Sequence, residues 1–285
     1  DALAAAGVDC GLVYSDEHYC GDVPYLGGNC NVSVEPVAGV VGSRGFFILA
    51  GLEGGYVAEQ LSGRAGASVH KVEMLKLADE EYPIDAERIE DVLEKAAGRR
   101  PRTIGLLTPR AVLPLGVYEY FAGLLGAENV VDCQEIYYKI KYIKSDREME
   151  LTRQAARIAD CMLEGMLAVL EPGMLETEVS AWGYLIGQQL GSEGFGFDVM
   201  VTANEANRTL VGKALNRRIA YGDYVHLGAA PKCDGLTACE RATVIAVPEP
   251  GQVTEDQRFW ISFTENAYEI GLKEYVRVAE NNLPA

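Results

Sequence analysis

The sequence predicts an α/β (α+β) protein in two parts, and three features of the 285-residue chain carry that prediction. In the first half, short apolar runs alternate with stretches of helical periodicity, as expected for helices packed on a mainly parallel sheet. Near Lys144-Ser-Asp-Arg147 that alternation gives way to one long amphipathic helix. After Gly194 the apolar pattern changes from a helical period to a strand-like one. The boundaries that follow are 1–143 for the first domain and 144–285 for the second.

Asp1-Ala-Leu-Ala-Ala-Ala6 reads as a helix stopped by Gly7, and Val8-Asp-Cys-Gly-Leu-Val-Tyr14 as a buried strand. Val37 to Leu52 holds two more strands, split by the turn-forming Gly42-Ser-Arg-Gly45. Ile84 to Lys95 reads as an amphipathic helix with Ile89, Val92 and Leu93 on its apolar face and Asp85 as its cap. Thr103 to Leu107 is a short strand, Val117 to Leu125 a helix ended by Gly126, and Val130-Val131 opens the last strand of this half.

In the second half, Ala155, Ile158, Ala159, Met162, Leu163, Met166, Val169 and Leu170 share one helix face. Ser145 or Asp146 is the expected N-cap, with Glu148 as the capping-box residue, and Pro172-Gly173 ends the helix. A second helix spans Glu176 to Leu190, with Val179, Trp182 and Ile186 inward and Gly191 after it. Tyr221-Gly-Asp223 is a turn, Tyr224 to Ala229 and Leu236 to Val247 are strands, and Glu255 to Tyr275 is an aromatic-rich helix.

Hydrophobic residues make up 48% of the chain and charged residues 24%, which fits a globular protein with a sizeable core. With 25 Lys and Arg against 42 Asp and Glu the formal net charge is −17, which argues against nucleic-acid or anionic-membrane partners. No apolar run reaches the roughly 18 to 20 residues that span a bilayer, and no basic-then-apolar leader opens the chain. Cys10, Cys20, Cys30, Cys133, Cys161, Cys233 and Cys239 include no CxxC pair and read as free thiols of a reducing cytoplasm. The chain opens on Asp1 rather than Met and stops at Leu283-Pro-Ala285 without a closing element, so a fragment is expected.

Three segments then carry a resemblance. Tyr142-Ile-Lys-Ser-Asp-Arg-Glu-Met149, Leu170-Glu-Pro-Gly-Met-Leu-Glu-Thr-Glu178 and Arg218-Ile-Ala-Tyr-Gly-Asp-Tyr-Val225 resemble, in order and spacing, segments of the pita-bread family of prolidases, aminopeptidases P and creatinases, the peptidase M24-like proteins. The resemblance implies a creatinase-type N-terminal α/β domain and a pita-bread catalytic domain that is incomplete at its C-terminus. It also implies a cytoplasmic homodimer acting on a small-molecule substrate. In the family's peptidases, metal-binding Asp, Asp and His stand where this chain has Gly228, Cys239 and Val211. Without bridging carboxylates a dication pair is not expected here, so the expected metal ligands and cofactors are none. Creatinase is the family's metal-free precedent, and its site strand is similar to Thr237-Ala-Cys-Glu-Arg-Ala-Thr243. That match needs a one-residue shift from the ungapped count. One register turns Glu240 into the cleft; the other turns Cys239 and Arg241 into it.

The candidate catalytic residues are His226 and Glu240. His226 stands two residues before Gly228 and shares its strand face, where it could serve as base or acid, or simply as a structural histidine. Glu240 could bind a cationic group or relay a proton, or pair with Arg241. Candidate substrate-binding residues are Arg208 and Asn207, Arg241 beside Glu240, and Cys239, which reads more simply as an inert thiol. His18 in Ser15-Asp-Glu-His-Tyr19, and Lys213, Arg217 and Arg218, read as surface groups or as outlying parts of a site. The leading expectation is metal-independent hydrolysis of a C–N bond in a small guanidino, amide or dipeptide-like molecule. The alternatives are a non-catalytic ligand- or peptide-binding relative and, last, a dinuclear-metal Xaa-Pro peptidase.

Overall fold

The computed structural model describes residues 1–28, 30, 35–62, 66–77, 85–204 and 212–281. The chain divides into two compact units, Asp1–Ser145 and Asp146–Ala285.

The first unit is a six-stranded sheet covered by helices. In chain order its elements are α1 (Ala2–Ala5), β1 (Cys10–Ser15), α2 (Asp22–Gly27), β2 (Val37–Gly42), β3 (Gly45–Ala50), α3 (Leu52–Leu61), β4 (Ser68–Lys71), α4 (Ile89–Ala97), β5 (Ile104–Leu106), α5 (Leu115–Leu125), β6 (Val130–Asp132) and α6 (Gln134–Tyr142). The strands lie in the order β4-β3-β2-β1-β5-β6. The sheet is mainly parallel, with one strand reversed. Strand β2 runs antiparallel to both β1 and β3, while β3/β4, β1/β5 and β5/β6 are parallel. The turn Gly42-Ser-Arg-Gly45 accounts for the opposite directions of β2 and β3, because a tight turn joins only antiparallel neighbours. Helix α4 buries Ile89, Val92, Leu93 and Ala96 against the sheet and ends at Gly98, whose φ of +73° suits a left-handed cap. It starts later than the periodicity implied: Arg88, not Asp85, precedes its first residue. Asp22 is buried and accepts hydrogen bonds from Thr108 Oγ1 (2.7 Å) and Lys141 Nζ (2.8 Å), so its charge is paired as burial requires.

The second unit opens with α7 (Asp146–Val169), whose first turn holds Asp146 and Glu148 where the helix dipole favours negative charge. Then come α8 (Glu176–Gln189), β7 (Gly194–Phe195), β8 (Met200–Ala203), β9 (Tyr224–Ala229), β10 (Pro231–Cys233), β11 (Leu236–Thr237), β12 (Glu240–Ile245) and α9 (Glu255–Glu280). They form two three-stranded antiparallel sheets, β11-β10-β7 and β12-β9-β8. Asp234 and Gly235 both have positive φ, the signature of the type I′ turn that joins β10 to β11. Helices α7 and α8 bury Ile158, Met162, Met166 and Val179 against Val201, Val225, Leu227 and Ala229. Trp182, expected inward, is 45% exposed. Helix α9 is capped by Thr254, whose Oγ1 accepts from Gln257 N–H (3.2 Å). Among the described residues no helix is long and apolar enough to cross a membrane.

Candidate active site

The turn before β9 fixes the site strand. Gly222 takes a φ of +81°, and the Asp223 carboxylate accepts the Ala220 N–H at 2.8 Å. Gly222 N–H then bonds Ala246 O (2.8 Å) and Ala246 N–H bonds Asp223 O (2.9 Å), pinning β9 to the end of β12. This is why a Gly-Asp pair stands here: glycine accepts the left-handed backbone and aspartate closes the turn.

From that point the pairing register decides which side chains meet. Gly228 lies between Met200 and Arg241, and His226 lies between Thr202 and Thr243. Directly opposed residues share a face, so Met200, Thr202, His226, Gly228, Arg241 and Thr243 line one side of the sheet. The other side, with Val225, Leu227, Ala229 and Ala242, packs on the helices. Of the two registers left open by the sequence, this is the one that sets Arg241 beside Gly228. Glu240 pairs with Ala229 and lies on the helix side.

His226 is half-buried, and its Nδ1 lies 3.3 Å from Thr243 Oγ1. Its Nε2 is buried without a hydrogen-bond partner among the described residues, as is Thr202 Oγ1. Burial, and then the charge of Arg241, hold the imidazole below its ordinary value of 6.5, so the neutral ring prevails at neutral pH. In the tautomer whose Nδ1–H donates to Thr243 Oγ1, Nε2 presents a lone pair, the arrangement a general base needs. The Arg241 guanidinium sits over Phe197 at 5.3 Å from the ring centroid. A cavity of about 670 Å³ opens beside these residues, lined also by Tyr224 and, from α9, by Trp260 and Tyr268.

Glu240 has a different neighbourhood. Burial, a hydrogen bond with Asp160, and the charges of Asp160 and Glu164 on α7 push its carboxyl up to about 7. The folded chain therefore holds this proton more tightly than the unfolded chain does. The stability it confers is fully present below the ordinary value of 4.5 and is lost as pH rises through about 7. Glu240→Gln is expected to abolish that decline, so that its Tm exceeds the parent's at pH 8 and matches it at pH 4. A Tm difference that is the same at both pH values would rule the carboxylate out as the cause.

Cys239 is an exposed free thiol immediately before β12. Asn207 and Arg208 lie outside the described residues. Lys213 pairs with Asp198 (2.9 Å), Arg217 with buried Glu176 (2.9 Å), and Arg218 donates to Gly173 O (2.7 Å). His18 is exposed in a loop where Asp16 Oδ1 accepts its N–H (2.9 Å). Sequence reading missed Thr202 and Thr243. The only signal for Thr202 is its alternation with buried Val201 and Ala203 on a four-residue strand.

The same face can be tested for a metal pair. A dinuclear centre needs carboxylates that bridge and neutralise two dications. Here the register supplies glycine at 228, a guanidinium opposite it, and the Met200 methyl where a Cβ at 228 would stand. Among the described residues no group of three or more His, Cys, Asp or Glu is disposed to hold a metal ion. The residues of this face do not fit a metal pair.

Comparison with known proteins agrees with the architecture. Residues 150–280 match Metallopeptidase family M24. An uncharacterized peptidase of Bacillus subtilis, YqhT, is 23% identical over 221 residues, covering 77% of this chain and 60% of its own length. The chain thus spans about three-fifths of that relative. Among solved structures, an X-Pro aminopeptidase from Thermotoga maritima superposes with a TM-score of 0.69 at 18% identity over 88% of this chain and 64% of the other. The prolidase from Pyrococcus furiosus gives 0.65 at 18% identity over 85% and 67%. The match to Metallopeptidase family M24 covers most of the second unit, and the structural likeness shows the pita-bread fold over most of both units.

Proposed function

We propose that this chain is a hydrolase that cleaves a C–N bond in a small polar, amide- or dipeptide-like substrate without a metal pair, with His226 as the general base. The observation that carries the reading is the buried, unpartnered Nε2 of a neutral imidazole whose other nitrogen is directed at Thr243. A water held by Nε2 gives up a proton as its oxygen attacks the carbon of the C–N bond. Protonated His226 then returns that proton to the departing nitrogen. Arg241, on the same face, holds a substrate carboxylate. The Thr202 hydroxyl, directly opposite His226, donates to the substrate or to the attacking water.

The kinship to family M24 supports hydrolysis, and the residues around Gly228 support the metal-free form of it. The test is to dialyse the purified chain against a chelator, measure its bound metal, and assay dipeptides, N-acyl amino acids and guanidino acids. Turnover that survives the chelator is expected. Turnover abolished by the chelator and restored by Mn or Co would overturn the proposal, as would tight binding of these compounds with no turnover.

A further inference from the structure

The first unit holds a second constellation, remote in sequence from His226. On edge strand β4, Ser68 Oγ lies 2.8 Å from His70 Nε2. His70 Nδ1 lies 2.6 Å from Glu87 Oε1. Ser68 and His70 are two residues apart on one strand and so share a face. The backbone of Glu87 is fixed there too, because its N–H donates to Lys71 O at 2.8 Å. The His70 side chain is 8% exposed and stacks on Phe47 with centroids 5.5 Å apart, while Ser68 is exposed. The ring is thus clamped on its face and at Nδ1, and its Nε2 is directed at a hydroxyl open to solvent.

The electrostatics fix the proton positions. Glu87 also accepts from Lys95 Nζ, and that bond first, then the one with His70, hold its carboxyl below the ordinary value. An ionised Glu87 only accepts, so Nδ1 carries the proton. In the neutral ring Nε2 is then the acceptor, and Ser68 donates to it. A serine that donates to a histidine oriented by a carboxylate is an activated nucleophile.

We propose that Ser68, His70 and Glu87 form a second reactive site, at which Ser68 is acylated by small activated esters. As the Ser68 Oγ–acyl bond forms, the hydroxyl proton passes to His70 Nε2. The ester C–O bond breaks and the departing alkoxide takes that proton. Water then loses a proton to Nε2, its oxygen attacks the acyl carbon, and Ser68 Oγ leaves with the proton, releasing the acid. Ser68 and His70 are the catalytic residues, and Glu87 positions the ring.

The test is covalent labelling of the intact chain with a fluorophosphonate, in which Oγ displaces fluoride at phosphorus, followed by peptide mass spectrometry. Ser43 is the internal control, since it too is exposed but donates to the Ala97 carbonyl rather than to a base. Ser68 is expected to react about a hundredfold faster than Ser43, within the range general-base assistance supplies. His70→Gln is expected to remove that advantage, and Ser68→Ala to abolish both the label and p-nitrophenyl acetate turnover. Equal labelling of Ser68 and Ser43 in the parent chain would overturn the proposal without any variant, as would fast Ser68 labelling that survives His70→Gln.

Discussion

His226→Ala is expected to lower kcat by a factor on the order of 10²–10⁴, the range a positioned acid–base group contributes, while leaving the second unit folded. The structural cost is small because, among the described residues, the ring makes a single 3.3 Å hydrogen bond, to Thr243, worth about 1 kcal/mol. The pH profile supplies a second readout. The folded chain binds the His226 proton less readily than the unfolded chain, since burial and Arg241 both oppose the imidazolium. The active, neutral base therefore persists below 6.5, and the acid limb of kcat/KM falls below that value. Arg241→Met removes the repelling charge and is expected to move that limb upward, with a rise in KM for carboxylate substrates. Thr243→Val removes the partner of Nδ1 and is expected to lower kcat with little change in KM. Unchanged kcat in His226→Ala would exclude the base role, whatever the other variants did.

Much of this face was within reach of the sequence, and the part that was not has a definite cause. The strand Tyr224–Ala229 and the turn before it follow from alternation and from the Gly-Asp pair, and with them the sharing of a face by His226 and Gly228. The register of Glu240 does not follow. Leu236 to Val247 reads as one strand, but the chain leaves the sheet of β10 at Thr237 and joins β9 at Glu240. Burial alternates without a break from Thr237 to Thr243, with Ala238 and Ala242 both on the core side, so the two answers come from the one-residue shift that the creatinase match needs. Only pairing with β9, a tertiary fact, selects between them. Thr202 was obscured for a related reason: a four-residue strand is too short for periodicity to announce it. Trp182 failed differently. Its spacing fits the inward stripe of α8, but Gly183 and Gly187 are the residues that meet Met166 and Met162 there, which rotates the buried face away from the indole.

Glu176→Ala is expected to produce the largest loss of stability, about 3–5 kcal/mol, read as a fall in the Tm of the second unit on the order of 10 °C. Glu176 opens α8 and is fully buried. Its Oε1 accepts from Ala203 N–H (2.8 Å) and Arg217 Nε (3.1 Å), and its Oε2 from Leu215 N–H (3.0 Å) and Arg217 Nη2 (2.9 Å). Four donors from two separate stretches of backbone thus converge on one carboxylate. Alanine would leave the buried Ala203 amide, the partly buried Leu215 amide and a half-exposed guanidinium without their acceptor, and an orphaned buried amide alone costs about 1–3 kcal/mol. Arg217→Ala is expected to cost much less, because the carboxylate keeps both amide bonds and the guanidinium is 42% exposed. The two variants together separate burial from charge pairing: equal losses would mean that the ion pair, not the amides, holds the clamp. The consequence reaches the candidate site, since Ala203 ends the strand that carries Thr202 opposite His226. Glu176→Ala should therefore also lower kcat at temperatures well below its Tm. A variant that melts within about 1 kcal/mol of the parent would show that the strand is held by its sheet partners alone.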